Sequence, residues 1–291
     1  MRGFRHSLRI VFLTTRGLSS VATNSLAAIG TISAFIGIYA YLKSPTASIP
    51  HERFWIGAVA LLTFLFGVYR TFPRSKIVQY FQQPEMTVTV MTADLFLQQS
   101  QIVIGFADTF DTDTTDNKII SGFSLQGQLL ERLFHGDREL LDSLLQVQLE
   151  KLDGEAIDSN LKEHGKMMRY PTGTSVVINH DGRNIYCLAY SKMDNDLRVQ
   201  STLDLLWSSM SSLWNCVCAN GQLEPIVLPV FGPELARVRN LSREALAKVI
   251  LMSFVAESRI RPLTRDFTLV VRKQDLANIN MLELAAFMRN L

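Results

Sequence analysis

Two long apolar runs, separated by a short polar connection, dominate the first seventy residues. No formally charged residue occurs between Arg16 and Lys43, and this run ends in AAIGTISAFIGIYAYL. A second run, FWIGAVALLTFLFGVY, lies between Arg53 and Arg70. As α-helices rising about 1.5 Å per residue, the two runs exceed or approach the hydrocarbon thickness of a bilayer, about 30 Å. The pattern predicts two transmembrane helices at about residues 21–42 and 54–71.

The charges around these runs predict their orientation. A signal peptide is the alternative for the first run, but no small-residue cleavage site follows it and a second apolar run comes soon afterwards. Lys and Arg are concentrated outside the pair of runs, at Arg2, Arg5, Arg9, Arg16, Arg70, Arg74 and Lys76, whereas the connection has only Lys43 and Arg53. Because basic segments stay in the cytoplasm, we expect a multi-pass protein whose N-terminus and C-terminal domain are both cytoplasmic.

From residue 77 onward, apolar positions alternate between strand spacing and helix spacing. The expected strands are VTVMT, IVIG, TSVVIN, NIYCLAY, PIVLPVFG and FTLVVRK. The expected helices lie in SLQGQLLERLF, DRELLDSLLQVQLEKL, STLDLLWSSMSSLWNCVCAN and SREALAKVILMSFVAES, with a closing helix from Gln274 or Asp275. Asp137 and Ser242 are expected N-caps, and Asp181-Gly182 is typical of a tight hairpin. This order predicts an α/β domain at 77–291 with a mixed, largely parallel sheet, preceded by a membrane region at 1–76.

Composition argues against a nucleic-acid partner, a disulfide framework and a zinc site. The formal net charge is +2, from 29 basic and 27 acidic residues, and basic residues do not alternate with aromatic ones, so we expect no nucleic-acid partner. Cys187, Cys216 and Cys218 are too few for a disulfide framework and lack zinc-site spacing. We expect ordinary thiols, no metal and no cofactor.

Three loops that follow strands or open helices are candidates for chemistry, because open α/β sheets bind ligands beyond the carboxyl ends of their strands. They are FADTFDTDTTD after IVIG, SGFSLQG before a helix, and FGPELARV after PIVLPV. Two glycine-bearing loops suit a diphosphate, which needs several converging N–H donors. Taken singly, each is also explained as an ordinary turn.

The Asp/Thr loop has several explanations. Asp111-Thr112-Asp113-Thr114-Thr115 fits the D-x-D-x-T pattern of Mg²⁺-dependent aspartyl-phosphate phosphohydrolases, although Gly105 to Phe110 separate it from the strand. A calcium loop is disfavoured because the glycine and glutamate of that motif are missing. A polar clamp for ribose hydroxyls and a plain solvated loop remain open.

Four segments together resemble a known family. VMTADLFLQQSQIVIGFADTFD, SGFSLQGQLLERL, YPTGTSVVIN and IVLPVFGPELARV are similar to a divergent macro domain, and the chain resembles the membrane-anchored macro-domain effectors of type II Thoeris antiphage defence. The resemblance covers most of residues 86–291, and DTFDTDT with SLQGQLLERL is its most distinctive part. It implies a three-layer α/β/α sandwich behind two transmembrane helices.

The resemblance also implies a ligand site for an ADP-ribose derivative. Asp94, beside Leu95, would accept a hydrogen bond from the adenine amino group. The distal ribose would lie near the end of the central strand, at Gly105, Asp108, Thr109, Phe110 and Asp111. The first phosphate loop would contain Ser124, Gln126 and Gly127, and the second Gly232, Pro233, Glu234 and Leu235. Because the asparagine and glycine run associated with ADP-ribosyl hydrolysis are absent, the resemblance implies binding without catalysis.

The resulting hypothesis is an antiphage effector in the bacterial inner membrane. It would bind a nucleotide second messenger, expected to be histidine-ADP-ribose, made by a partner TIR-domain enzyme. It would then self-associate and disrupt membrane lipid, causing abortive infection. The alternatives are a membrane-tethered Mg²⁺-dependent phosphohydrolase using Asp111 and Asp113, and a tethered scaffold that binds only protein.

Overall fold

The computed structural model describes residues 2–42, 52–72, 75–160, 162–231 and 241–291. The chain divides into two compact units. One comprises Met1–Ser75 with Asn280–Ala286, and the other comprises Lys76–Ile279 with Phe287–Leu291. The predicted second phosphate loop, Gly232 to Leu235, lies outside the described residues.

The described residues from 2 to 72 form the helices α1 (Arg2–Leu13), α2 (Thr15–Leu42) and α3 (Glu52–Thr71). Helices α2 and α3 pack closely where α3 has a glycine, because a Cβ at Gly67 would lie 2.9 Å from the carbonyl oxygen of Val21. The Asn24 amide also donates a hydrogen bond of 3.1 Å to the hydroxyl of Thr71. The two apolar runs therefore form a helical hairpin.

Two segments of this unit are long and apolar enough to cross a membrane. They are Thr15–Tyr39, with mean hydropathy 1.6, and Phe54–Thr71, with mean hydropathy 1.5. Their apolar side chains are mostly exposed, as with Phe35 at 70% and Leu62 at 64%. Such exposure is unfavourable in water and is expected of helices surrounded by lipid.

The second unit is built on a mixed sheet. Its main strands are β1 (Lys76–Gln82), β2 (Glu85–Thr92), β3 (Gln101–Ala107), β6 (Ser175–His180), β7 (Arg183–Met193), β9 (Ile226–Pro229) and β10 (Asp266–Val271). Their order is β1-β2-β10-β9-β3-β7-β6, and the short β8 (Val199–Gln200) pairs with β7. The five central strands are mutually parallel, whereas β1 and β6 are antiparallel to their neighbours. The predicted mixed, largely parallel sheet is confirmed.

Helices cover both faces of this sheet. They are α4 (Leu125–Leu133), α5 (Arg138–Leu149), α6 (Leu203–Asn220) and α7 (Arg243–Ile260). The residues of the last helix, α8 (Met281–Arg289), are divided between the two units. Leucines of α4 and α5 share one core with Ile102, Ile104 and Phe106 of β3. On the opposite face, Trp214 of α6 and Phe254 of α7 pack against Phe267 of β10. The predicted three-layer α/β/α sandwich is confirmed.

Local sequence signals located several boundaries correctly. The side chains of Asp137 and Ser242 cap α5 and α7 by accepting from backbone N–H groups three residues ahead. Asp181 and Gly182 both have positive φ, 50° and 71°, as a type I′ hairpin turn requires. These predictions depend only on neighbours along the chain.

Other boundaries differ from expectation. The edge strand β1 was not predicted, and neither was the small hairpin of β4 (Glu155–Ala156) and β5 (Met168–Arg169). The closing helix begins at Met281 and not at Gln274 or Asp275. Asp275 does not cap a helix with its side chain, because its carboxylate binds Arg243 and Arg272 instead.

Candidate functional site

A cavity of about 640 Å³ opens at the carboxyl ends of the central parallel strands. Residues from the ends of β3, β7, β9 and β10 line it, together with the loop before α4 and the first residue of α7. This is the edge of an open α/β sheet at which ligands are expected to bind. Its volume lies within the range of small-molecule sites, about 300 to 1,000 Å³.

Two stacked aromatic rings require a glycine in the wall of the cavity. Tyr190 of β7 and Phe231 after β9 have ring centroids 4.8 Å apart at an interplanar angle of 28°. A Cβ at Gly105 would lie 2.8 Å from Cδ1 of Tyr190 and 3.0 Å from Cδ1 of Phe231. The glycine therefore allows the rings to approach the end of β3.

The N-terminus of α4 forms another part of the wall. The Ser124 hydroxyl accepts a hydrogen bond from the Gly127 amide at 3.0 Å and donates one to the carbonyl oxygen of Ser121 at 2.6 Å. A Cβ at Gly127 would lie 2.5 Å from that same carbonyl oxygen. Tight packing thus fixes the first turn of α4, whose N–H groups lack intrahelical partners and favour anions.

The charged residues among those described in the cavity wall are Arg243, Arg272 and Asp275. Arg243 Nε lies 3.1 Å from Asp275 Oδ1, and Arg272 Nε donates to Asp275 Oδ2 at 2.8 Å. Two guanidinium groups therefore share one carboxylate. Among the described residues of the wall, two positive charges therefore face one negative charge.

Asp111, in contrast, is a buried structural residue. Its Oδ2 accepts from the Thr109 hydroxyl at 2.6 Å and lies 3.5 Å from the ammonium of Lys162, which is itself fully buried. Its Oδ1 accepts from the Lys166 amide at 2.5 Å, and its carbonyl oxygen accepts from the Gln126 side chain at 2.5 Å. Because both carboxylate oxygens are engaged inside the protein, the geometry disfavours Asp111 as an attacking nucleophile.

Asp108 also turns into the protein. Its Oδ1 accepts from the Met193 amide at 2.8 Å, and its Oδ2 lies 3.1 Å from Nε of Arg169. Burial raises the pKa of this carboxyl, against the opposing effects of the Met193 hydrogen bond and the Arg169 charge. Asp108 borders a different cavity, with Arg169 and Tyr170, and joins the end of β3 to the end of β7.

The other residues of the Asp/Thr loop have separate roles. Phe110 is fully buried with φ of 49° and stacks on Phe106, with ring centroids 5.5 Å apart. Positive φ is unfavourable for a bulky residue, so burial of the ring must offset the strain. Asp113 pairs with Arg138 at 2.8 Å, and its pKa is lowered mainly by hydrogen bonds with Thr115. The loop is therefore not a plain solvated loop, and its buried residues are not accessible to a ligand.

The predicted adenine contacts lie after β2. Leu95 is buried in the core beside β3. The Asp94 carboxylate accepts from the Phe96 amide at 3.0 Å and from Arg132 Nη1 at 3.0 and 2.8 Å. Asp94 keeps part of its side chain exposed, at 39%.

The structure therefore divides the predicted site residues into two groups. Gly105, Ser124 and Gln126 line the cavity. The others that the structure describes lie outside its wall, and they are Asp94, Leu95, Asp108, Thr109, Phe110, Asp111 and Gly127. Gly127, Thr109 and Asp111 support the wall from behind through Ser124 and Gln126.

Sequence reasoning missed the charged part of the wall and an exposed aromatic. Arg243, Arg272 and Asp275 come together only in the fold, because the first precedes the other two by about thirty residues. Phe123 lines the cavity although 84% of it is exposed. One signal was available in the sequence: an arginine directly after the Ser242 N-cap opposes the helix dipole.

Sequence comparison identifies the family. Residues 88–272, more than half of the chain, match the family model described as Thoeris protein ThsA, Macro domain. The chain belongs to the ThsA macro-domain family. Thoeris protein ThsA of Bacillus amyloliquefaciens (strain Y2) is 28% identical over 192 residues, which are 65% of this chain and 62% of that protein. The chain therefore matches less than two thirds of the length of this ThsA relative.

Solved structures similar to this ThsA-family chain include macro domains. The Oceanobacillus iheyensis macrodomain with ADP is 12% identical, covers 74% of this chain and 98% of its own, and has a TM-score of 0.48. The macro domain of ganglioside induced differentiation associated protein 2 is 13% identical, covers 68% of this chain and 82% of its own, and has a TM-score of 0.40. Because both scores are low, the ThsA family assignment rests on the sequence matches.

Proposed function

We propose that this protein is a Thoeris effector whose macro domain, residues 77–291, binds an ADP-ribose-derived signal in the cavity at the carboxyl edge of the sheet. The observation that carries the proposal is the cavity itself. It combines a size suited to a nucleotide, two arginines that share one aspartate and the N-terminus of α4. Family membership supplies the Thoeris context. The expected signal is histidine-ADP-ribose from a partner TIR-domain enzyme.

The expected ligand contacts follow from the residues that line the cavity. Gly105, Ser124 and Gln126 are the ligand contacts that we retain, and the loop from Gly232 to Leu235 stays a prediction. Asp108 and Asp111 support the site through the protein interior, with Thr109 and Phe110 beside them. Asp94 stays a prediction as an adenine acceptor, and Arg132 would share its carboxylate.

Binding without turnover is part of the proposal. A phosphohydrolase needs an aspartate that can reach phosphorus, whereas both oxygens of Asp111 are engaged by Thr109, Lys162 and Lys166. Burial of that carboxylate at 1% exposure keeps it away from a solvent-borne substrate. We therefore assign the protein a sensing role and not a catalytic one.

The membrane region, residues 1–76, supplies the effector step. Its two apolar helices suit the bacterial inner membrane, and the outer basic residues favour cytoplasmic ends. A ligand shifts an equilibrium only if it binds one state more tightly. We propose that the signal favours a self-associated state whose helices disrupt the bilayer and arrest phage spread.

The test is calorimetry on the full chain in detergent with ADP-ribose, histidine-ADP-ribose and AMP, each with and without Mg²⁺. We expect metal-independent binding of the two ADP-ribose compounds, and weaker binding after Ser124→Ala. Asp137→Ala is a matched control because it removes the equivalent cap of α5, and no residue of α5 lines the cavity. Absence of binding, or phosphate release that requires Mg²⁺ and Asp111, would contradict the proposal.

A further inference from the structure

The arginine pair in the cavity wall is not explained by its contacts within the protein. Arg243 is the first residue of α7, and 12% of its side chain is exposed. Its Nε meets Asp275, but its Nη1 is buried and has no hydrogen-bond partner among the residues that the structure describes. A buried guanidinium N–H without a partner is unfavourable, so the position calls for an explanation.

A purely structural role accounts for only part of this arrangement. The shared carboxylate of Asp275 ties the start of α7 to the segment after β10. A single arginine would suffice for that link. With the second, two guanidinium groups face one carboxylate. Arg243 also adds its charge to the positive end of the α7 dipole, where an acidic residue would be more stable. Among the described residues, this wall thus holds more cationic than anionic groups, beside a helix N-terminus.

We propose that Arg243 and Arg272, held by Asp275, form the anion-recognition site of the cavity and bind the phosphate oxygens of the ligand. The proposal rests on the proposed function and assigns the diphosphate of the signal to these side chains. Guanidinium groups match phosphate geometry and form charge-assisted hydrogen bonds. Asp275 is a positioning residue that orients both groups and offsets part of their repulsion.

The experiment measures ADP-ribose binding to the full chain in detergent for Arg243→Gln, Arg272→Gln and Arg243→Lys. Arg261→Gln is the matched control, since Arg261 ends the same helix, pairs with Glu257 and lies outside the cavity wall. Inorganic pyrophosphate is added as a competitor to the unmodified chain, and it is also titrated alone into the unmodified chain and into Arg243→Gln. Melting temperatures of all variants report whether each has folded.

We expect Arg243→Gln and Arg272→Gln to weaken ADP-ribose binding by about 10- to 100-fold, the effect of losing charge-assisted hydrogen bonds. Arg243→Lys keeps the charge but not the planar geometry, so its loss is expected to be smaller. Arg261→Gln is expected to leave affinity unchanged, and pyrophosphate to displace ADP-ribose. If Arg243→Gln fails to fold, Arg272→Gln and pyrophosphate competition decide the question.

Failure of the inference is distinguishable from failure of the proposed function. If the chain binds ADP-ribose and both arginine variants match Arg261→Gln, the anion site is wrong while the signal-binding function stands. If pyrophosphate binds through Arg243 but neither ADP-ribose nor histidine-ADP-ribose binds, the anion site stands and the proposed function fails. If none of the three binds, both are overturned.

Discussion

At the scale of single residues, Asp108 and Asp113 occupy one loop, but their pKa values are shifted in opposite directions. Burial raises the pKa of Asp108, so the folded state holds its proton more tightly than the unfolded chain. Its contribution to the free energy of unfolding is full below the ordinary value of 3.8 and declines as pH rises through the raised pKa. Asp113 has a lowered pKa, so its contribution is present above 3.8 and is lost as pH falls through the lowered value.

We therefore expect Asp108→Asn to remove part of the decline in stability above pH 3.8, because asparagine still accepts from the Met193 amide without a buried charge. The measurement is the apparent melting temperature from acid to neutral pH, with Asp113→Asn as the matched variant from the same loop. Asp113→Asn is expected to reduce the loss of stability at acid pH. If Asp108→Asn melts at a lower temperature than the parent at neutral pH, the ion pair with Arg169 stabilises the fold by more than burial of the Asp108 charge destabilises it.

Removing only one member of the buried ion pair between Lys162 and Asp111 should strongly destabilise the fold. Lys162→Met leaves the Asp111 carboxylate buried without its cation, which we expect to destabilise the fold by about 3 kcal/mol. For a domain of this size that lowers the melting temperature by about 6 to 12 °C. The double change Lys162→Met with Asp111→Asn should restore most of the loss, since asparagine keeps an acceptor oxygen without charge.

The control for that experiment is the exposed pair Arg138–Asp113, with side chains 47% and 34% exposed. Arg138→Met should change stability by less than about 1 kcal/mol, because solvent screens the pair. Equal effects of Arg138→Met and Lys162→Met would show that burial does not govern the Lys162 pair. No sequence pattern predicts the pair of Lys162 and Asp111, since these two residues lie 51 positions apart.

At the scale of elements, the position of α4 depends on Gly127. A Cβ there would lie 2.5 Å from the carbonyl oxygen of Ser121 and 2.6 Å from Cα of Gly122, both backbone atoms that cannot rotate away. We expect Gly127→Ala to destabilise the fold by about 1 to 3 kcal/mol. Because α4 must shift, ADP-ribose binding should weaken as well. Calorimetry and melting temperature check both effects.

Gly122→Ala is the matched control, five residues earlier in the same segment. Its Cβ would meet only the Asn117 side-chain oxygen, at 3.4 Å, which is an ordinary contact that a side chain can relieve. We expect near-parental stability and affinity. If Gly122→Ala and Gly127→Ala bind ADP-ribose equally well, the N-terminus of α4 does not contact the ligand.

Elements with local signals were predictable, and elements set by distant contacts were not. The caps of α5 and α7 and the Asp181-Gly182 turn depend on residues within four positions. Asp275 was misread as a helix start, because its partner Arg243 lies on another element. Likewise, the acids of the Asp/Thr loop stood out in the sequence, but only the fold turns Asp108 and Asp111 inward.

At the scale of the whole molecule, the expected topology can be measured with one native and one introduced cysteine. Cys218 is exposed on the second unit, whereas Cys187 is buried. A membrane-impermeant maleimide applied to intact cells should label Ser48→Cys, in the connection between the spans, but not Cys218. After permeabilisation both should react. Labelling of Cys218 in intact cells would place the macro domain outside and contradict the expected orientation.

Signal-dependent membrane disruption requires that ligand binding favour one assembly of the full chain. To move an equilibrium from 1:99 to 99:1, the signal must bind the active state about 10⁴-fold more tightly than the resting state. We expect the mass of the full chain in nanodiscs or detergent to rise on addition of histidine-ADP-ribose, and dye to leak from loaded vesicles at the same ligand concentration. Arg261→Gln should behave like the parent.

Three outcomes distinguish ligand binding, self-association and membrane leakage from one another. Arg243→Gln should require a ligand concentration higher by the same factor as its loss of affinity, for both mass and leakage. Leakage without a change in mass would contradict self-association as the effector step. Binding without either response would leave the macro domain as a sensor and place the effector step outside this chain, because a ligand with equal affinity for both states shifts neither.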